Sequence, residues 1–464
     1  MIRALRRRFR LPKGSIALTL FTGLSVALGY VREGVFAYYY GTGAALDAFL
    51  AAFTLPKLLL ALTTTVTVSA LLPVYVGYLR SGSPDRARNL VQQWFAVLVA
   101  VLCLVALVLG LAPETAMRLL APGFDPALTA DAGRLLRGLL PYTVAASAAA
   151  AYKVVLDSHQ RFTAPAAARA VVTVLVIGAA VVAASRLGAW ALVVGYGIGG
   201  VVMFAIHVAG ARGISERPSL RSLRWPRLAG LPLSNVGWIT LQMTLGQVYA
   251  IVDRIFASGL DTGSIAALNY ATAIVTAPQN LVTSVLATVL FPVLAAKVAE
   301  GRTDAAIRET GKWVAVVCLT SAPLIGLMIL FRVEIVSLLF RRGAFDAEST
   351  ALVASVLTIL PLTIAVGGSN ALVNRLLLSQ KAYRVTAGLA GVVGAAKVAM
   401  NALFVGPFGV AGLALASVLA GVLGLALRVA YAWRRENAPS PTKPGASEPD
   451  APDSAPPPPS SLDP

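Results

Sequence analysis

The chain has 464 residues, 57% of them apolar and 13% charged, with a formal net charge of +18. A soluble domain carries about 25% charged residues, so this composition excludes one and indicates an all-α integral membrane protein, with many windows reaching the roughly 20 apolar residues that cross a bilayer. The basic excess lies in short runs between apolar segments, which is a topology signal and gives no support to a nucleic-acid partner.

In chain order, a basic N-terminus (1–14) precedes spans expected at 15–37, 44–78, 91–111, 133–156, 165–185 and 189–210. A basic linker (211–229) leads to spans at 230–257, 264–298, 312–331, 350–374, 384–405 and 409–432, and then to a Pro- and Ser-rich tail (433–464) too polar to fold. The N-terminal arginines resemble a signal peptide, but no small-residue cleavage site follows, so the first span is expected to be retained. The runs "LRSGSPDRAR", "SHQR", "ARGISERPSLRSLRWPR", "KVAEGRTDAAIRETGK", "SQKAYR" and "WRRE" fall on one side, and only "FRVEIVSLLFRRGAF" breaks the alternation. The positive-inside rule then puts both termini in the cytoplasm. Cys103 and Cys318 lie within spans without metal-site spacing and are expected to be small apolar fillers. No Ser/His/Asp set, paired carboxylates or phosphate-binding glycine loop occurs, so neither an enzyme nor a metal site is expected.

The two halves repeat each other. "LDAFLAAFTLPKLL" (46–59) aligns with "LNYATAIVTAPQNL" (268–281), "LLPVYVGYLRSGSPD" with "LFPVLAAKVAEGRTD", "LLAPGFD" with "FRRGAFD", "LLPYTVA" with "ILPLTIA", and Trp94 with Trp313. Five ordered matches at nearly one offset predict two pseudo-symmetric six-helix lobes around a central cavity. Six is even, so the lobes share one orientation and are related by an axis along the bilayer normal. Pro56 and Pro278 occupy equivalent places, where each removes a helix hydrogen bond and is expected to kink its helix.

Ionisable residues inside spans are costly and should face a cavity or a partner. Arg32 and Glu33 lie near the outer end of the first span, and Asp253 and Arg254 at the matching level of the seventh. Pairing of Arg32 with Asp253, or of Glu33 with Arg254, would tie the lobes together. Lys57 lies about 18 Å into the second span, Lys397 is similarly deep in the eleventh, and no acidic residue matches the depth of Lys57.

The run "LGYVREGVFAYYYGTGAALDAFLAAFTLPKLL", with "LLPVY", "LLAPGF", "QRFTAPA", "VDRIFAS", "GSIAALNYA", "LFPVL" and "GPFGVAGLALA", resembles the MurJ/MviN family of the multidrug/oligosaccharidyl-lipid/polysaccharide exporter superfamily. The resemblance implies a flippase that moves lipid II, the undecaprenyl-diphosphate-linked peptidoglycan precursor, from inner to outer leaflet of the bacterial inner membrane by alternating access. Cavity cations would offset the diphosphate charge. Arg32 matches a usual cavity arginine and Asp47 the usual acidic position. Other family cations are absent: Val26 follows Ser25, Leu60 follows "LPKLL", and Thr272 and Ala273 stand where Asp-Arg is usual. Lys57, one turn from Leu60, could substitute as a point charge, and the head-group set becomes Arg32, Asp47, Lys57 and Arg254. The family also implies a C-terminal cation site, here Asp253, Lys397, Asn401 and Ser417, where Lys397 would stand in for sodium. Na+, H+ or the membrane potential is the expected drive. Bilayer lipids and cell-wall synthesis proteins are the other expected partners. Alternatives are a flippase for another polyprenyl-diphosphate saccharide or a transport-inactive scaffold.

The topology has a direct test. Single cysteines replacing Gly82, Ser219 or Gly301 should label from the cytoplasm, and those replacing Thr42 or Gly263 from outside, in a background lacking Cys103 and Cys318. Labelling of position 219 from outside intact cells would contradict it.

Overall fold

The computed structural model describes residues 13–218, 233–300, 302–380 and 382–436. Among them every regular element is a helix, the form in which a chain inside hydrocarbon satisfies its own amides and carbonyls. The first half holds α1 (Lys13–Tyr40), α2 (Ala44–Arg80), α3 (Pro84–Leu111), α4 (Pro113–Leu120), α5 (Pro126–Ser158), α6 (Thr163–Leu187) and α7 (Trp190–Gly210). The second holds α8 (Leu233–Ala257), α9 (Ser264–Ala299), α10 (Thr303–Leu330), α11 (Arg332–Phe340), α12 (Ala347–Leu357), α13 (Thr363–Ser379) and α14 (Tyr383–Glu436). Eight stretches of the described residues are long and apolar enough to cross a membrane, against twelve expected from the sequence. One of the eight, residues 383–434, is bent at Gly409, and another joins α12 and α13. The N-terminus through residue 12, linker residues 219–229 and the tail beyond 436 lie outside the described residues.

The repeat is visible in the backbone. Elements of the second half begin 219–221 residues after their counterparts, from α2 and α9 (44 and 264) to α6 and α14 (163 and 383). Asp125 and Asp346 cap α5 and α12, accepting from the amides of Leu128 and Ser349 at 2.8 Å each. The Ser349 amide, helped by its hydroxyl, holds the Asp346 carboxyl below its ordinary range. Gly188 and Gly409 share one left-handed backbone conformation, φ 55°, ψ −136° and φ 54°, ψ −135°, which a glycine adopts without strain. The first turns the chain from α6 into α7, and the second folds α14 back on itself.

The expected elements are incomplete, and one expectation needs correction. The short helices α4 and α11 have eight and nine residues, below spanning length, and hydropathy alone did not reveal them. Helical backbone continues through Pro56 and Pro278, and the one non-helical residue within α14 is Gly409. Cys103 and Cys318 are exposed rather than packed inside.

Packing is densest within each half, where α2 lies on α5, α7 on α5 and α6, α8 on α14, and α13 on α9 and α14. The halves meet chiefly through α2 with α8 and α9, and through α1 with α11. At the end of the molecule holding the α1–α2 turn this contact is closed by polar and backbone groups. Asp47 accepts hydrogen bonds from the amides of Gly263 and Ala266, both at 2.7 Å, in the first turn of α9. Tyr270 donates to the Gly41 carbonyl at 3.0 Å, the Ala344 amide donates to the Tyr38 carbonyl at 2.8 Å, and the Thr42 and Ser349 hydroxyls meet at 2.8 Å. The approach is too close for side chains: a Cβ on Gly263 (φ +93°) would lie 2.4 Å from the Thr42 carbonyl oxygen, and one on Gly343 (φ +60°) 2.3 Å from that of Tyr38.

Gly263→Ala and Gly343→Ala should therefore loosen this seam. In a protein carrying Thr42→Cys and Ser349→Cys, either substitution should lower the yield of the 42–349 disulfide several-fold. An unchanged yield would mean that the seam does not depend on these backbone approaches.

Candidate substrate cavity and buried ion cluster

Beneath the seam lies a cavity of about 630 Å3, lined by α1, α2, α5, α6 and α7 of the first half and by Arg254 and Asn269 of the second. Its wall is aromatic around Phe49, Phe53, Tyr142 and Tyr196, with Phe53 and Tyr196 centroids 4.4 Å apart and Phe49 stacked on Phe53 at 5.6 Å. Into this apolar wall the chain inserts charge. Arg32 pairs with its neighbour Glu33 at 2.5 Å, reaches the Tyr196 hydroxyl at 3.4 Å and lies 5.7 Å from the centroid of the Phe36 ring. The Arg32 Nε is buried with no partner. The other Glu33 oxygen accepts from Asn269 at 3.0 Å, so this carboxylate ties α1 to α9.

Arg254 crosses between the halves and donates to the Thr54 hydroxyl, which itself donates to the Leu50 carbonyl at 2.9 Å. Lys57 lines the same cavity and makes no hydrogen bond or ion pair with any described residue. It stands within electrostatic reach of Arg254, Arg32 and Glu33. Three cations therefore face one carboxylate at mid-cavity, and that carboxylate is already engaged by Arg32 and Asn269. Such a surplus inside a membrane-spanning bundle is a place for an anion.

Asp47 does not belong to this set. It is 3% exposed, both its oxygens are taken by α9 amides, and it does not line the cavity. The expected inter-lobe pairs, Arg32 with Asp253 and Glu33 with Arg254, do not form either. Arg32 keeps its sequence neighbour Glu33, while Asp253 points into the second half.

There, Asp253, Lys397, Asn401 and Ser417 come together. The Lys397 ammonium donates to Asp253 and to the Ser417 hydroxyl, both at 2.8 Å, and Asn401 donates to the second Asp253 oxygen at 3.0 Å. Lys397 and Asn401 precede the Gly409 bend and Ser417 follows it, so the cluster pins α8 to both limbs of α14. The repeat relates it to the cavity, since Asp253 and Ser417 each lie 221 residues after Arg32 and Tyr196. Lys397 is 6% exposed, and removing one partner of a pair this buried costs about 3–5 kcal/mol. The ammonium sits between the Asp253 carboxylate and the Ser417 hydroxyl. Among the described residues, no group of three or more His, Cys, Asp or Glu side chains is placed to hold a metal ion.

Sequence reading did not place Lys153, Arg169 and His207 in the cavity wall, nor Tyr142, Tyr196 and Asn269. Lys153 and Arg169 lie within a turn of the ends of their expected spans, beside basic loops, so the depth argument that singled out Lys57 does not reach them.

The sequence model described as lipid II flippase MurJ matches residues 36–443. A probable lipid II flippase MurJ of Rhizobium tropici is 31% identical over 351 residues, 71% of this chain and 64% of the relative. That of Rhizobium meliloti is 30% identical over 347 residues, covering 71% and 63%, so the matched part spans just under two thirds of these two relatives. The Vibrio cholerae relative is 26% identical over 451 residues, 90% of this chain and 82% of its own length. Among solved structures, a lipid II flippase MurJ in an inward closed conformation superposes with a TM-score of 0.77 at 20% identity, over 90% of this chain and 87% of that one. An inward-facing transporter of the MATE family superposes with a TM-score of 0.75 at 13% identity, over 91% and 100%. These likenesses establish the shared fold, and the match over residues 36–443 establishes the kinship: this multi-pass membrane chain belongs to the lipid II flippase MurJ family.

Proposed function

We propose that this chain moves a polyprenyl-diphosphate-linked cell-wall precursor, lipid II or a close analogue, across the bacterial cytoplasmic membrane by alternating access. The observation that carries the reading is Lys57, a cation without a protein partner, beside Arg32 and Arg254 in an aromatic-walled cavity. A diphosphate leaving water needs its charge met by donors, and a guanidinium fork with an ammonium beside it meets it well. Relatives named as lipid II flippases favour this substrate. With the termini in the cytoplasm, the Asp47 seam closes the outer side and the cavity faces the inner leaflet. The two halves then act as rocking bodies, and outward opening requires release of the Asp47, Tyr270 and Ala344 contacts.

The ion cluster bears on the energy source. Lys397 fills the position between Asp253, Asn401 and Ser417 with a tethered ammonium, so this chain works without sodium at that place. The drive then falls to the membrane potential or to protons.

Complementation of a strain depleted of its own lipid II flippase tests both points. The wild-type chain should restore growth equally in sodium-containing and sodium-poor medium. Arg32→Ala should fail at normal protein level, and Arg32→Lys should restore growth only in part, because an ammonium cannot reproduce the guanidinium fork. Full rescue by Arg32→Ala would remove the cavity assignment, and loss of rescue without sodium would remove the tethered-ammonium assignment.

A further inference from the structure

A second pocket of about 590 Å3 lies between α2, α5 and α6 at the end away from the seam. It shares Lys153, Pro165 and Arg169 with the main cavity, so the two adjoin. Its charged lining is Arg80, Lys153, Asp157 and Arg169. Asp157 is engaged by Lys153 one turn before it on α5. The guanidinium groups of Arg80 and Arg169 make no hydrogen bond or ion pair with described residues, so the pocket holds two unspent cations.

Gln160, which also lines this pocket, is the one non-glycine with positive φ (57°) among the described residues. It sits just past the end of α5, where the Arg161 amide bonds back to the Leu156 carbonyl at 2.8 Å and the Gln160 amide to the Asp157 carbonyl at 3.1 Å. That helix ending ordinarily uses glycine, because a side chain is strained in the left-handed region. Gln160 accepts the strain and has no partner for its side-chain amide among the described residues. Gln160, like Arg80 and Arg169, is exposed, so the strain at its backbone serves no packing of its side chain.

We propose that Arg80, Gln160 and Arg169, with Lys153 behind them, form a second anion site that receives a carboxylate from the peptide end of the lipid-linked head group. This rests on the diphosphate reading of the main cavity. The spacing supports it: Tyr142, at the level of Arg32, and Lys153 are 11 residues apart on α5, which is about 16 Å along the helix. An extended peptide of about five residues bridges that distance. The diphosphate and the peptide carboxylate would then be held in two adjoining pockets.

Affinity measurements on the full chain in phosphatidylethanolamine nanodiscs separate the two sites. The probes are lipid II and the same undecaprenyl-diphosphate disaccharide without its peptide. The Arg80→Ala variant should bind lipid II about tenfold more weakly and the peptide-free lipid as the wild type does. Gln160→Gly relieves strain and should leave Tm unchanged or raised, yet weaken lipid II selectively. Wild-type affinity for lipid II in both variants overturns the second site, as does an equal loss for both lipids. A third arm adds phosphatidylglycerol: if it alone loses affinity in the variants, the pocket holds a membrane lipid and the proposal fails. Absence of wild-type binding to the peptide-free lipid would instead remove the diphosphate reading on which the second site rests.

Discussion

The first amides of a helix have no partner within it, and a carboxylate placed against them satisfies both hydrogen bonding and the local positive field. Asp47 does this across the boundary between the two halves, holding the start of α9 from α2. The glycine approaches at Gly263 and Gly343 follow from this clamp, because the strands of chain it draws together leave no room for a Cβ. The charged cavity lies beneath this closed end. Around the clamp one apolar cluster runs across both halves, from Phe36, Leu46 and Phe49 to Ile265, Tyr270 and Phe345.

Charge placement obeys one rule in both halves. Among the described residues, the buried ionisable groups named above each have a partner or a cavity, and one position of the repeat takes both solutions. Arg32 lines the cavity, whereas its counterpart Asp253 is closed off by Lys397, Asn401 and Ser417. The first half is thereby suited to take an anion, and the second half neutralises its buried acid internally.

Much of this was legible in the sequence. The 220-residue repeat appeared as aligned motifs because equivalent turns need equivalent residues, as the Asp125 and Asp346 caps and the Gly188 and Gly409 turns show. The depth of Lys57 gave its cavity role, and the resemblance brought together Asp253, Lys397, Asn401 and Ser417. Asp47 was misplaced because its partners lie 216 and 219 residues away and are backbone amides, which carry no side-chain signature. Arg32 was expected to reach across the lobes, but its neighbour Glu33 is at hand without any inter-lobe fit. Lys153 and Arg169 escaped notice because they sit near loops already rich in basic residues, where the topology signal accounts for them.

The central claim is that cations of the first half hold a lipid-linked diphosphate in the cavity beneath the seam. Native mass spectrometry of the Arg32→Ala, Lys57→Ala variant, at matched protein level, tests it most directly. The account predicts that the wild type retains lipid II and that the double variant loses it while keeping its fold. Wild-type-like retention of lipid II by the double variant would contradict the account and leave Arg32 and Lys57 as structural charges.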